Sequence, residues 1–159
     1  MPNETPAPVP KPSRPRDEFG RPLPSGSETR LTLPNFDAMT TEECLAEAIR
    51  LFNGRNYFGA HEAWETCWVQ RKGTEEEEFF KGLAQLGAGY AHWMRGNAHG
   101  ADALMSRALS RMGLLGSPHR GMDIARFMDA VEALRVTAEA CVASDAPLPP
   151  LPDDRVPLA

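Results

Sequence analysis

Phe52-Asn-Gly-Arg-Asn-Tyr-Phe-Gly-Ala-His-Glu-Ala-Trp-Glu-Thr-Cys-Trp68 is the densest run of information in this chain of 159 residues. Asn53-Gly54 reads as the end of one helix, and Tyr57 as the start of the next. At roughly 100° per residue, Tyr57, His61, Trp64 and Trp68 fall on one arc of that helix. Ala60 and Cys67 lie on one shoulder of the arc and Glu65 on the other. The pattern predicts a helix from Tyr57 to Gln70, ending before Gly73, with one histidine embedded in an apolar, aromatic stripe.

Working toward the N-terminus, Thr40-x-x-Glu43 is a capping box, in which side chains satisfy free amides at a helix start. Leu45, Ala48, Ile49 and Phe52 then follow at i, i+3, i+4 and i+7, so a first helix is expected up to Asn53-Gly54. Toward the C-terminus, Thr74-x-x-Glu77 has the same capping-box pattern and opens a third helix reaching Arg95. Asn97 caps a fourth, with Ala101, Leu104, Met105, Ala108 and Met112 inward, ended by Gly113, Gly116 and Pro118. A fifth begins near Asp123 and carries Ile124, Phe127, Met128, Val131, Leu134, Ala138 and Cys141 on one side. No segment has the period-two alternation of a strand.

Nine of the fifteen prolines precede Phe36, five follow Ser144, and only Pro118 lies between. Interior proline breaks a helix, so long helices are confined to the middle of the chain. The organisation expected is a Pro-rich, largely disordered or extended leader over 1–36, a helical domain over 37–143, and a Pro-rich tail over 144–159. Within the leader, Arg16 to Pro24 carries Phe19 and Leu23 and is a candidate for docking onto the domain. Asn56-Tyr-Phe-Gly-Ala60 is echoed by Asn97-Ala-His-Gly-Ala101, each following a short turn. The echo points to antiparallel helix hairpins, and the fold class is all-α: a compact bundle of about five helices.

A formal charge of −5, without a Lys/Arg cluster, argues against a nucleic-acid partner. The least polar run, Leu83 to Met94, is too short to span a bilayer. Met1 to Pro15 has prolines where a signal peptide needs an apolar core. Cys44, Cys67 and Cys141 are odd in number and far apart, which suits a reducing compartment. The expectation is a cytoplasmic protein acting on a small molecule or a protein partner, with a homodimer allowed.

His61 and Glu65, one turn apart, admit two readings. In one they form a structural pair that satisfies a buried imidazole. In the other they bind a divalent metal (Zn, Mn or Fe), with Glu62 as general base. A metal needs a further ligand, and the third helix offers His92, with Gln85 and Glu78 at seven-residue spacing on the same side. Gly82, Gly89 and Gly96 run beside that row and would let a neighbouring helix come close. If that neighbour is the second helix, His92 and Gln85 face His61 and Glu65 across a polar cleft.

Phe52-Asn53, Tyr57-Phe58, Ala60-His61-Glu62-x-Trp64-Glu65-x-x-Trp68, Lys81-Gly-Leu-Ala-Gln-Leu and His92-x-x-Arg95-Gly-Asn97 together resemble the domain-of-unknown-function family 309, over about residues 40 to 115. Gly20-Arg-Pro-Leu-Pro24 is similar to the leader of some members. The resemblance implies a compact helical fold, and it implies a metal-dependent hydrolase, as some members are catalogued. His61, Glu62, Glu65, Gln85 and His92 match recurrent polar positions of the family, whereas Gly59 stands where a carboxylate is frequent.

Two functions follow as expectations. In a metal-dependent hydrolase, His61, Glu65 and His92 are the metal ligands, Glu62 is catalytic, and Gln85 and Trp68 meet the substrate. In a non-catalytic helical-hairpin adaptor, Trp64, Trp68 and Trp93 are presented to a partner and the His61–Glu65 pair is structural.

Overall fold

A computed structural model of the chain describes residues 14–18, 20–153 and 155–158. Five helices follow one another: α1 (Thr41–Asn53), α2 (Tyr57–Gln70), α3 (Glu77–Met94), α4 (Ala98–Met112) and α5 (Ile124–Ser144), preceded by a short 3-10 turn at Phe36–Ala38. No strand occurs among the described residues, so the architecture is the all-α bundle that the periodicity predicts. Each helix packs on the next in chain order, which leaves α3 between α2 and α4.

Local chemistry sets the helix starts. The Thr40 hydroxyl accepts from the Glu43 amide while the Glu43 carboxylate accepts from the Thr40 amide, completing the capping box of α1. Asn56 and Asn97, the residues of the internal echo, cap α2 and α4 in the same way, accepting from the amides of Gly59 at 2.9 Å and Gly100 at 3.0 Å. Asp123 caps α5 through the Arg126 amide at 3.1 Å.

The start of α3 departs from expectation. Thr74 is no helix cap: its hydroxyl donates to the Arg71 carbonyl at 2.6 Å, closing the turn after α2, and Glu76 takes the cap position. A hydroxyl that can reach back to a nearby carbonyl competes with capping, and Thr74 does so two residues before the helix cap.

Phe52 joins the core. Its ring meets Tyr57 (5.0 Å between centroids), Trp64 (5.7 Å), Tyr90 (4.8 Å) and Phe127 (5.6 Å), so one side chain of α1 touches aromatic rings from α2, α3 and α5. All five rings are buried. Edge-on pairs of this kind add about 0.5–1.5 kcal/mol each beyond the burial of area.

Outside the five helices, both flanking segments pack on the bundle. Arg16 lies over the Phe58 ring at 4.2 Å and donates to the Gly20 carbonyl. Gly20 is held at φ +83° with its α-carbon against Phe58, where a methyl group would fall 2.2 Å from the Phe58 Cβ. Phe19, the other apolar residue of this piece, lies outside the described residues. At the other end, Trp93 Nε1 donates to the Pro149 carbonyl, the Val156 amide donates to Asn53, and Leu151 and Val156 are buried.

The glycines of α3 serve two neighbours. A methyl at Gly82 would meet Met112 and one at Gly89 would meet Met105, so the close neighbour of these two is α4 and not α2, while one at Gly96 would meet nothing within 4 Å. Gly87 alone faces α2, where a methyl would come within 2.9 Å of the His61 nitrogen and α-carbon. Backbone cannot yield as a methionine side chain can. Gly87→Ala is therefore expected to destabilise the fold by about 1–3 kcal/mol, as overpacking does, despite the better helix propensity of alanine. Gly82→Ala should cost less, and urea unfolding of the two variants side by side checks the order.

Candidate functional site

The close contact at Gly87 fixes where His61 sits. Its Nδ1 lies 2.7 Å from the Ala84 carbonyl on α3. A carbonyl oxygen can only accept, so Nδ1 carries the proton and donates it. In a neutral ring this contact leaves the lone pair on Nε2, the tautomer that a metal ligand needs, with the backbone contact that commonly orients one.

That nitrogen faces two carboxylates. Glu65 Oε2 is 3.4 Å from Nε2, as the i, i+4 spacing predicts, and Glu62 Oε1 is 3.9 Å away. One ligand atom from each of His61, Glu62 and Glu65 lies within 4.8 Å of the other two. Three acceptors pointed at one another repel unless something positive lies among them. A proton on Nε2 meets that need and makes the structural ion pair; a divalent cation meets it and uses all three. One imidazole and two carboxylates form a donor set that suits Zn, Mn or Fe, so the residues fit the metal reading.

Each group keeps partial access to solvent: His61 is 25 % exposed, Glu62 40 % and Glu65 45 % by side chain. Burial is the main influence on Glu62 and raises its carboxyl above the ordinary carboxylate range; His61 opposes this, Glu65 adds to it, and Arg16 opposes it. The stacked guanidinium of the leader thus adds a positive charge beside the triad that periodicity gave no means of anticipating.

His92 is not part of this group. It lies in the last turn of α3, and its Nδ1 accepts from the Asn97 side-chain amide at 3.0 Å, with the ring against Gly100. Burial first, then Arg95 and His61, hold His92 below the usual imidazole range, so it favours the neutral form with its proton on Nε2. The residue is committed to the α3–α4 turn.

Gln85 and Glu78 are also drawn toward α4. Arg111 donates to Gln85 Oε1 at 3.0 Å and to Glu78 at 2.5 Å. Gln85 nonetheless reaches the site: it lines a cavity of about 250 Å³ together with His61, Glu65 and Trp68. Because Arg111 occupies the amide oxygen, the NH₂ end of Gln85 is the one left for a ligand. Of the three tryptophans, Trp64 and Trp93 belong to the core, and Trp68 alone keeps an exposed part.

Cys67 supplies no nucleophile. It is buried, and desolvation pushes its thiol up to about 12, leaving it protonated near neutral pH. Cys44 beside it is raised by the same cause.

Comparison with known proteins agrees with the residues quoted above. The model of the family described as "Domain of unknown function (DUF309)" matches residues 45–104, which run from α1 through α2 and α3 into α4 and include the whole triad. Neither the curated proteins nor the solved structures contain a match. No helix among the described residues is long and apolar enough to cross a membrane.

The raised carboxyl of Glu62 has a consequence for stability. A carboxyl whose proton affinity is higher in the folded state favours folding at low pH, and that contribution is lost as pH rises through the folded value. Glu62→Gln should therefore stabilise the metal-free protein at pH 7. The gain should be only a few tenths of a kcal/mol, because solvent screens so exposed a group, and it should vanish below about pH 4. Urea unfolding at both pH values tests this; a variant less stable than the parent at pH 7 would contradict it.

Proposed function

We propose that this protein holds a divalent metal ion on His61, Glu62 and Glu65 and uses it for hydrolysis of a small molecule. The observation that carries the reading is the orientation of His61: its Nδ1 proton is tied to Ala84 O at 2.7 Å, which aims Nε2 at two carboxylate oxygens. A purely structural ion pair needs one carboxylate, whereas a second at 3.9 Å, desolvated and raised in proton affinity, adds a cost that a cation removes.

A divalent ion at such a site supplies Lewis acidity and lowers the pKa of a water toward neutrality. The chain's own residues would do the rest. His61 and Glu65 stand closest together and form the anchoring pair. Glu62 is farther from Nε2, which makes it the more weakly held carboxylate and the one suited to take a proton from water and return it to a leaving group. The Gln85 amide, fixed by Arg111, would orient the substrate by donating from its NH₂. His92, expected as a ligand, has no part in this scheme because Asn97 holds it at the turn.

Partially exposed carboxylates beside open cavities leave coordination positions for water and substrate, which separates a catalytic site from a closed structural one. The adaptor reading, by contrast, is left with the half-buried Trp68 as its one tryptophan outside the core.

Full-length protein prepared without a histidine tag and stripped by chelator is expected to bind one equivalent of zinc or manganese in a calorimeter. At about 100 times its Kd the metal should stabilise the fold by about 2.7 kcal/mol. His61→Ala and Glu65→Gln should each abolish both effects while keeping the helical signal. Absence of metal binding in the parent protein, with unchanged melting, would remove the basis of the proposal.

A further inference from the structure

Beside the triad, α2, α3 and α4 enclose the cavity of about 250 Å³. Its floor is one face of α3, where Lys81, Ala84, Gln85 and Ala88 recur at i, i+3, i+4 and i+7. Trp68 from α2 and Leu104 from α4 form the walls, and His61 and Glu65 open into it. The two alanines make the space: α2 and α3 touch through backbone at Gly87, and only small residues beside that contact keep a slot open.

The lining divides by chemistry. Ala84, Ala88, Leu104 and the Trp68 ring are apolar. The polar groups with capacity left for a ligand are donors: the Gln85 NH₂, whose oxygen Arg111 occupies, and the Lys81 ammonium, which lies over the Trp68 ring at 5.1 Å and has no carboxylate within 4.0 Å among the described residues. Two carboxylates make the triad negative without an ion; a divalent ion offsets that charge, and Lys81 then makes the slot positive. Two larger cavities flank Glu62 on the other side, but one brings in Asp37 and the other is walled by the leader. Neither is lined by His61, so neither joins the histidine of the triad to an apolar body.

We infer that the slot is the substrate subsite of this centre and takes a small carboxylic acid with a one-ring apolar body, the ring on Ala84 and Ala88 between Trp68 and Leu104 and the negative oxygens toward Lys81, Gln85 and the metal. The size fits, since a dry apolar cavity of about 150 Å³ accepts benzene, and the remaining space admits a carboxylate. The charge fits, since an acid meets only donors and cations on its polar side, whereas an amine would meet Lys81. The inference rests on the metal reading, because without the cation Glu62 and Glu65 repel an anion.

The test uses the full chain and separates the two claims by measuring zinc by equilibrium dialysis and ligand by tryptophan emission. Trp68→Phe identifies the emission change that comes from the slot. Benzoate is the probe, with acetate lacking the ring and benzylamine reversing the charge. Zinc-loaded protein is expected to bind benzoate at least tenfold more tightly than either control. Ala88→Leu, which fills the slot from a half-exposed position, and Lys81→Ala should each weaken benzoate at least tenfold with zinc binding unchanged. If zinc binds but benzoate is no tighter than acetate or benzylamine, or is indifferent to Ala88→Leu, the slot is not the subsite and the metal reading stands. If zinc fails to bind, the metal reading falls and this inference falls with it.

Discussion

The closest approach of two helix backbones sets the geometry of this molecule. At Gly87, α3 presents bare backbone to α2, and the partner residue is His61, whose nitrogen and α-carbon leave no room for even a methyl group. That contact brings Nδ1 of the same histidine to the Ala84 carbonyl one turn earlier on α3. Packing and tautomer thus share one cause. Were the helices farther apart, the imidazole would lose its backbone acceptor, Nε2 would no longer be fixed as the open nitrogen, and the carboxylates of α2 would have no defined partner.

The remaining scaffold keeps that approach rigid. Phe52 sits between Tyr57, Trp64, Tyr90 and Phe127, so one side chain of α1 ties rings of α2, α3 and α5 into a single buried cluster. Methionines 105 and 112 fill the other glycine positions of α3 with side chains able to adapt, which lets α4 come close without dictating its exact register. The result is a precise contact at the site and forgiving ones away from it. The leader and the C-terminal segment add local contacts, and the leader's Arg16 brings a positive charge toward Glu62.

Much of this was legible from residues alone, for identifiable reasons. Helices α1, α2, α4 and α5 could be bounded because their starts are marked by Thr40, Asn56, Asn97 and Asp123, each of which makes the hydrogen bond its chemistry favours. The His61–Glu65 pair followed from helical spacing. What failed did so where one residue had two partners to choose from. Thr74 bonds backward to Arg71 instead of capping α3. The row of Gly82 and Gly89 points to a close neighbour, but spacing does not say which, and that neighbour is α4; Gly87, five residues from Gly82 or about 140° around the helix, is the glycine that meets α2. His92 shares a face with Gln85 in projection, but Asn97 in the following turn captures it. The Ala84 carbonyl, on which the orientation of His61 depends, leaves no trace in sequence at all.

A histidine with one nitrogen fixed and the other facing two carboxylates is an arrangement that needs a positive charge, and the account turns on whether that charge is a proton or a metal. Anomalous diffraction at the zinc edge, from crystals of the tag-free protein equilibrated with zinc, answers this directly. The account predicts one strong peak bonded to His61 Nε2 and to oxygens of Glu65 and Glu62, with Nδ1 still on the Ala84 carbonyl. A peak absent from the triad, with Nε2 hydrogen-bonded to Glu65, would contradict it.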